Sequence, residues 1–210
     1  MDMKHLVCAV ALSLGAAGFA FAEGNAVLRI GIEAAYPPFE SKTAAGQLQG
    51  FDIDVGNAVC AKMQVKCVWV ENAFDGLLPA LQARKFDLVN SAMNITAKRE
   101  QIVDFTPAIY VVPMVLVARK NSGLLPQADS LKGKRIGVLQ GAVQDDFAQR
   151  NWKPHGVEIA EYSDQNQVYA DLAAGRLDGS VQEYQTHVRA FWTSRRGVTM
   201  RSLARLWKTL

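Results

Sequence analysis

Phe86-Asp-Leu-Val-Asn-Ser-Ala-Met-Asn-Ile-Thr-Ala-Lys-Arg99 passes from strand to helix within a few residues. The apolar run 86–89 reads as a strand, and Thr96 stands where a helix N-cap accepts from first-turn amides. Small residues between them leave backbone N–H groups able to face a cleft. Arg99, one turn into the helix, can swing a two-pronged guanidinium over the same place. The arrangement suits a carboxylate. Taken alone, the segment fits an ordinary strand-to-helix connection with a solvated Arg equally well, so its neighbours must decide.

Toward the N-terminus, residues 27–33 form a β-rich alternating run that ends in a loop carrying Glu33, Tyr36 and Phe39. Pro37 and Pro38 there forbid both helix and inner strand. Gly46 and Gly50 punctuate a hairpin. Residues 51–63 read as a helix with Asp52 or Asp54 near its positive end, Asp52 as a cap rather than a ligand contact. A strand over 66–70 follows, then a helix from Phe74 to about Arg84 with Leu77, Leu78 and Leu81 at helical spacing. The order β-α-β-α-β argues for a mostly parallel sheet with covering helices.

Toward the C-terminus, residues 103–107 are extended, and 110–118 are strongly β-forming with Pro113 inside, as on an edge strand or a crossover between two bodies. After a loop over 121–126 and a helical turn capped at Asp129 and Ser130, alternation resumes. Strand 135–139, helix 143–152, strand 157–160, helix 164–174 ended by Gly175, strand 177–181 and a helix from about Gln182 make a second α/β set. Ligands in such sheets sit at the carboxyl ends of strands. Glu33 and Tyr36, Phe74, Ala92 to Arg99, Gly141 to Gln144, and Gln182 with Glu183 all follow predicted strands, so they can converge on one interlobe cleft.

Composition narrows the class. Half of the 210 residues are apolar and 20% are charged, which is globular. Lys4 and His5 precede an apolar stretch over 6–19, and Ala20-Phe21-Ala22 has the small-x-small form of a signal-peptidase site, so residues 1–22 read as a cleaved secretory signal. That stretch is short for a membrane span. Cys8 leaves with the signal. Cys60 and Cys67 remain, and in an oxidising compartment they read as a disulfide closing a short loop; their spacing is not that of C-x-x-C redox or zinc motifs. His155 and His187 have no Cys or His partner at metal spacing, so neither a metal nor a cofactor is expected. The formal charge of +3 comes from the end of the chain. Arg195, Arg196, Arg201, Arg205 and Lys208 lie there without an acid, which leaves the body slightly acidic and excludes a nucleic-acid surface.

Six motifs then stand in register. Gly31-Ile-Glu-Ala-Ala-Tyr-Pro-Pro-Phe39, Gly50-Phe-Asp-Ile-Asp54, Phe74-Asp-Gly-Leu-Leu-Pro79, Met93-Asn-Ile-Thr-Ala-Lys-Arg99, Gly133-Lys-Arg-Ile-Gly-Val-Leu-Gln-Gly141 and Gly175-Arg-Leu-Asp178 together resemble the periplasmic polar amino acid-binding proteins of ABC importers. The likeness is greatest to the lysine/arginine/ornithine- and histidine-binding members and extends over 27–181. It implies a two-lobe, type II periplasmic-binding-protein fold with a hinge. It also implies that Arg99, with backbone N–H groups at Asn94 and Val143, grips a ligand α-carboxylate, and that Glu183 holds the α-ammonium. Tyr36 and Phe74 would flank the side chain, Glu33 would face a cationic side chain, and the family's disulfide falls on Cys60 and Cys67. These roles agree with elementary chemistry: a zwitterion needs one fixed cation and one fixed anion, and rings suit a long stem or a guanidinium.

Three positions depart from the family pattern. Glu183 is one methylene longer than the Asp common in basic amino acid binders, and Ala92 and Val143 replace Ser or Thr, which removes hydroxyl donors and leaves backbone ones. From Trp192 onward the likeness ends. Restoring one C after the Phe191 codon would permit Leu-Asp-Lys-Pro-Glu-Gly-Arg-Asp-Tyr-Ala-Ile-Ala-Gly-Pro, a normal return segment of this family, so a frameshift is expected. The resulting expectation is an α/β protein with a signal at 1–22, a first lobe at 23–112 incomplete at its C-terminal end, a second lobe with hinge strand at 113–191, and an aberrant basic tail at 192–210. Its function would be that of a monomeric, periplasmic solute-binding component delivering an amino acid, of the Arg, Lys, ornithine or His type, to a permease. A cyclohexadienyl dehydratase-like enzyme, with Glu183 as general acid, is the alternative.

Overall fold

The computed structural model describes residues 26–184 and 198–202. The expected signal segment, His187, and the rest of the expected tail lie outside those residues. No helix among the described residues is long and apolar enough to cross a membrane.

The first lobe is built on a small parallel sheet. Strand β1 (Val27–Ile32) leads into the Pro-rich loop, a hairpin of β2 (Ser41–Lys42) and β3 (Leu48–Gln49), helix α1 (Phe51–Met63) and strand β4 (Lys66–Glu71). A 3-10 turn (Phe74–Gly76) continues into α2 (Leu77–Gln82), followed by β5 (Leu88–Val89) and the single turn α3 (Ala97–Glu100). The strands pair in parallel in the order β4-β1-β5, so the first strand of the chain is central. The Cys60–Cys67 disulfide ties the end of α1 to β4, and Gly56 lets Trp69 lie against α1, since a Cβ there would meet the ring at 2.6 Å.

The strand expected over 86–89 is shorter than its apolar pattern. Phe86 turns its ring into the core, 1% exposed, and occupies the space that a side chain at Gly31 would need. Asp87 is drawn to Arg29, accepting from its backbone N–H at 2.8 Å and from its guanidinium. Leu88 and Val89 pair with Ile30 and Gly31 of β1, and the Asp87 and Asn90 N–H groups on either side donate to the Arg29 and Gly31 carbonyls at 2.9 and 3.1 Å.

The second lobe carries β6 (Met114–Arg119), α4 (Ala128–Leu131), β7 (Arg135–Leu139), α5 (Val143–Asn151), a 3-10 turn (Lys153–His155), β8 (Glu158–Tyr162), α6 (Gln165–Ala174), β9 (Gly179–Glu183) and β10 (Val198–Ser202). Its strands run in the order β10-β6-β9-β7-β8. Gly175 ends α6 as expected, in the left-handed conformation, and Asp164, read as its first residue, is its cap, accepting from the Asn166 N–H at 2.7 Å. Asp129 and Ser130, by contrast, lie inside α4, whose N-cap is Gln127 without a side-chain bond. Strand β6 is buried on both faces. Met114, Leu116 and Ala118 pack with α4 and α5, while Val115 and Val117 pack with Val168 and Leu172 of α6, as the period of two requires.

Two expectations are settled here. Of the two readings of Pro113, the edge strand is excluded and the crossover remains: β6 begins immediately after it and is interior, paired to both β9 and β10. The last parallel strand lies two residues later than the apolar pattern suggested, because Met114 and Val115 offer ladder partners to Glu183 and Gln182; those two residues are therefore strand, not the start of a helix. Residues 198–202, within the expected basic tail, form a strand antiparallel to residues 115–119 of β6, from Val198 opposite Arg119 to Ser202 opposite Val115. Paired to β9 alone, β6 would present unpaired N–H and C=O groups on its other side, and this strand takes them up.

The two lobes touch through a shared apolar cluster in which Phe74, Leu77 and Phe86 of the first meet Leu139 and Ala142 of the second.

Candidate functional site

The site is assembled by the ends of β1, β5, β7 and β9. After β1 the chain turns at cis Pro37-Pro38, held by Tyr36 N–H to Glu40 C=O at 2.7 Å and Phe39 N–H to Tyr36 C=O at 3.0 Å. The Phe39 ring stacks on Tyr110 with centroids 4.8 Å apart. This fixes Tyr36 so that its hydroxyl crosses to the second lobe, where it accepts from Gln144 Nε2 and from the Glu183 N–H, both at 3.3 Å.

After β5, Thr96 caps α3 by accepting from the Arg99 N–H at 3.2 Å. Arg99 is 8% exposed. Its guanidinium donates to the Asn94 carbonyl at 2.7 Å and, across the lobes, to the Gly141 carbonyl at 3.1 Å, and it lies 5.5 Å from the centre of the Phe74 ring. Burial lowers its pKa from the ordinary arginine value. Asn94 also reaches across: its side-chain amide donates to Glu183 Oε1 at 3.2 Å.

Ala92, by contrast, does not offer a free donor. Its N–H is bound by Asp52 Oδ2 at 2.7 Å, and its own φ of 42° shows that the backbone is bent to make that contact. Asp52 is therefore not a helix cap; Gly50 occupies that position without a side-chain bond. Buried within the first turn of α1, the Asp52 carboxylate organises the loop after β5 and also accepts from the Tyr110 hydroxyl at 3.0 Å. Burial raises its pKa despite these bonds. Val143 directs its side chain into the core of the second lobe, which leaves only its backbone at the N-terminus of α5 to face the cleft.

Glu33 is 5% exposed. Its N–H donates to Ser91 Oγ at 2.9 Å, and its carboxylate accepts from the Ala35 N–H at 3.3 Å. Glu40, absent from the sequence-derived site, is 1% exposed and accepts from the Ser91 hydroxyl at 3.0 Å. No periodicity marks it; only its place beside Phe39 in the Pro-rich loop could have drawn attention. Gln144 was expected in a converging segment but not as the partner of Tyr36.

Four carboxyl groups thus lie buried together, with Arg99 as the cation among them. Burial pushes both Glu33 and Glu183 up to about 7, and burial followed by repulsion from Asp52 pushes Glu40 well above the usual range. No group of three or more potential ligands among the described residues could hold a metal ion.

The space between these groups is a cavity of about 10 Å³ lined by Tyr36, Glu40, Phe74, Ala92, Asn94, Leu139, Ala142, Gln144 and Glu183. It has room for about one water. Glu33, Arg99 and Val143 stand behind that lining. The lobes are closed on each other, with Glu183 meeting the Asn94 amide and Arg99 the Asn94 and Gly141 carbonyls.

A family model described as bacterial extracellular solute-binding proteins, family 3, matches residues 28–193. The chain is 45% identical over 183 residues to the lysine/arginine/ornithine-binding periplasmic protein of Escherichia coli K12, covering 86% of this chain and 70% of the relative. It is 46% identical over 181 residues to the L-arginine-binding protein of Pseudomonas aeruginosa PAO1, with the same coverages of 86% and 70%. A solved ancestral arginine-binding protein bound to arginine superposes with a TM-score of 0.80 at 32% identity, over 84% of this chain and 78% of the other.

Proposed function

The chain belongs to the bacterial extracellular solute-binding proteins, family 3, and from that premise we propose that it is the periplasmic receptor of an ABC importer, taking a basic amino acid into the interlobe cleft. The observation that carries the reading is the pair formed by Arg99 and Glu183. They come from different lobes, and Asn94 connects them, its carbonyl on Arg99 and its amide on Glu183. A bound zwitterion would replace these internal partners, with its carboxylate on Arg99 and the N–H groups of Asn94 and Val143, and its ammonium on Glu183. Phe74 and Tyr36 would flank its side chain, beside Ala92. Glu33, Glu40 and Asp52 add buried acidity, which favours a ligand that brings a second positive charge.

The cavity of about 10 Å³ is too small for any amino acid, so the lobes part before the ligand enters and close over it. The closed, loaded form is what a permease would recognise. Residues 1–22 would direct export, residues 23–112 and 113–191 would be the lobes, and the receptor would act as a monomer. The relatives just described are named as binding proteins, which puts the dehydratase-like alternative behind this reading.

Thermal-shift and calorimetric titration of the full chain with all common amino acids and ornithine tests it. Arginine, lysine, ornithine or histidine should raise the melting temperature by several degrees at 100 times Kd. No shift with any of them, or turnover of prephenate, would overturn the proposal.

A further inference from the structure

Glu40 is 1% exposed, and only half of its carboxyl group is accounted for. Oε1 accepts from the Ser91 hydroxyl at 3.0 Å. Ser91 Oγ is itself fixed by the Glu33 N–H at 2.9 Å, so the Glu40 carboxyl is held in one orientation. Oε2 is buried and meets no hydrogen-bond donor among the described residues, and Glu40 lines the interlobe cavity together with Tyr36, Phe74 and Glu183. A buried carboxyl oxygen that no donor meets is costly. Its neighbours add to the cost: Asp52 in the first turn of α1, Glu33 after β1 and Glu183 at the end of β9 all repel a charge on Glu40.

The other acids of the first lobe are committed elsewhere. Asp52 uses both oxygens, Oδ2 for the Ala92 N–H at 2.7 Å and Oδ1 for the Tyr110 hydroxyl at 3.0 Å. Glu33 accepts from the Ala35 N–H at 3.3 Å and stands behind the cavity lining rather than in it. The Arg99 guanidinium is engaged by the Asn94 and Gly141 carbonyls, and the charges that act on it are those of Asp146 and Glu183. Glu40, Ser91, Glu33, Asp52, Tyr36 and Phe74 all belong to the first lobe, so their arrangement travels as one body when the lobes part.

We infer that Glu40 Oε2, rather than the Glu33 carboxylate, is the acceptor for the positively charged side-chain group of the bound amino acid. The inference rests on the amino acid-receptor reading and assigns within it the residue that selects a cationic side chain. In the ligand-free protein, burial and the surrounding acids hold a proton on Glu40. An N–H of a side-chain ammonium or guanidinium meets Oε2, its charge takes the place of that proton, and the proton passes to solvent. A neutral ligand of the same shape drives no such exchange.

Calorimetric titration of the full chain at pH 8 tests it with L-arginine and with L-citrulline, whose side chain has nearly the same shape without the charge. Arginine binding should release about one proton more than citrulline binding, read from buffers of different ionisation enthalpy; the Glu183 contribution is common to both ligands and cancels. Glu40→Gln should remove that excess and lower the arginine-to-citrulline affinity ratio by about tenfold or more, a larger fall than Glu33→Gln produces. Equal proton release with the two ligands, or a larger fall with Glu33→Gln, would overturn the inference. The proton count on the natural chain decides without any variant, so a Glu40→Gln chain that fails to fold does not remove the test. Binding of neither ligand would overturn the receptor reading and this inference with it.

Discussion

Glu183 offers the sharpest test of the site, through substitution by Gln. The side chain is 2% exposed and its pKa is pushed up to about 7, first by burial and then by repulsion from Asp52, against the pull of Asn94 and Arg99. A carboxyl raised from 4.5 to about 7 in the folded state stabilises that state fully below pH 4.5, and the contribution is lost as pH rises through 7. At about 1.4 kcal/mol per unit, the loss amounts to about 3 kcal/mol by pH 8. Glu183→Gln abolishes this loss, so the ligand-free variant should be more stable than the natural chain at pH 8 and similar to it near pH 5. Ligand binding should respond in the opposite sense. An ammonium requires the ionised carboxylate, and at pH 5.5 only about 3% of a group titrating at 7 is ionised, a roughly 30-fold loss of affinity relative to full ionisation. Glu33, also near 7, adds to that dependence wherever it ionises on binding. Glu183→Gln should weaken arginine or lysine binding at pH 8 by about 10- to 100-fold, the worth of one charged hydrogen bond, and should flatten the pH dependence by one proton. Calorimetry between pH 5.5 and 8, with melting curves at each pH, reads both effects. Natural-chain affinity that is constant over this range, or a variant that binds within a factor of two at pH 8, would refute the assignment of Glu183 to the ammonium.

Three further outcomes follow from the geometry. Arg99→Ala should cost about 1.5–3 kcal/mol of ligand affinity for each charged hydrogen bond lost, with Arg99→Lys recovering part because it keeps the charge without the fork; unchanged affinity by calorimetry would remove Arg99 from the carboxylate. Asp52→Ala should destabilise the ligand-free protein by about 2–4 kcal/mol, because it removes the acceptor of both the Ala92 N–H and the Tyr110 hydroxyl, and denaturant midpoints would show it. Cys60→Ser with Cys67→Ser should lower stability by about 2 kcal/mol, the entropy of a short closed loop, with ligand preference unaltered because the bridge joins α1 to β4 away from the cleft.

Much of the architecture was legible because its causes are local. The Thr96 cap, Gly175 after α6, the hairpin around Gly46 and the Cys60–Cys67 bridge each depend on residues a few positions apart, and each appears in the structure. The strands were legible as apolar runs, but their ends were not. Glu183 belongs to β9 because β6 extends far enough to pair with it, and the Phe86 ring fills the space that a side chain at Gly31 would need. Both outcomes depend on neighbours in space that no window of sequence contains.

By itself the sequence determined the two α/β sets and the segments able to meet at the cleft, since periodicity, capping and residue chemistry act over short separations, and the resemblance carried by its six motifs added the candidate pair Arg99 and Glu183. Only the tertiary structure decided what those groups touch. Tyr36 meets Gln144 across 108 positions of chain, and Asp52 reaches Ala92 across 40. It also tied Glu33 to Ser91 and Ala35, added Glu40 to the buried acids, and gave β6 a partner at 198–202. Hydrogen-bond partners in a closed cleft are chosen by how two lobes come to rest on each other. That choice is made by packing and desolvation over the whole molecule, and no local pattern carries it.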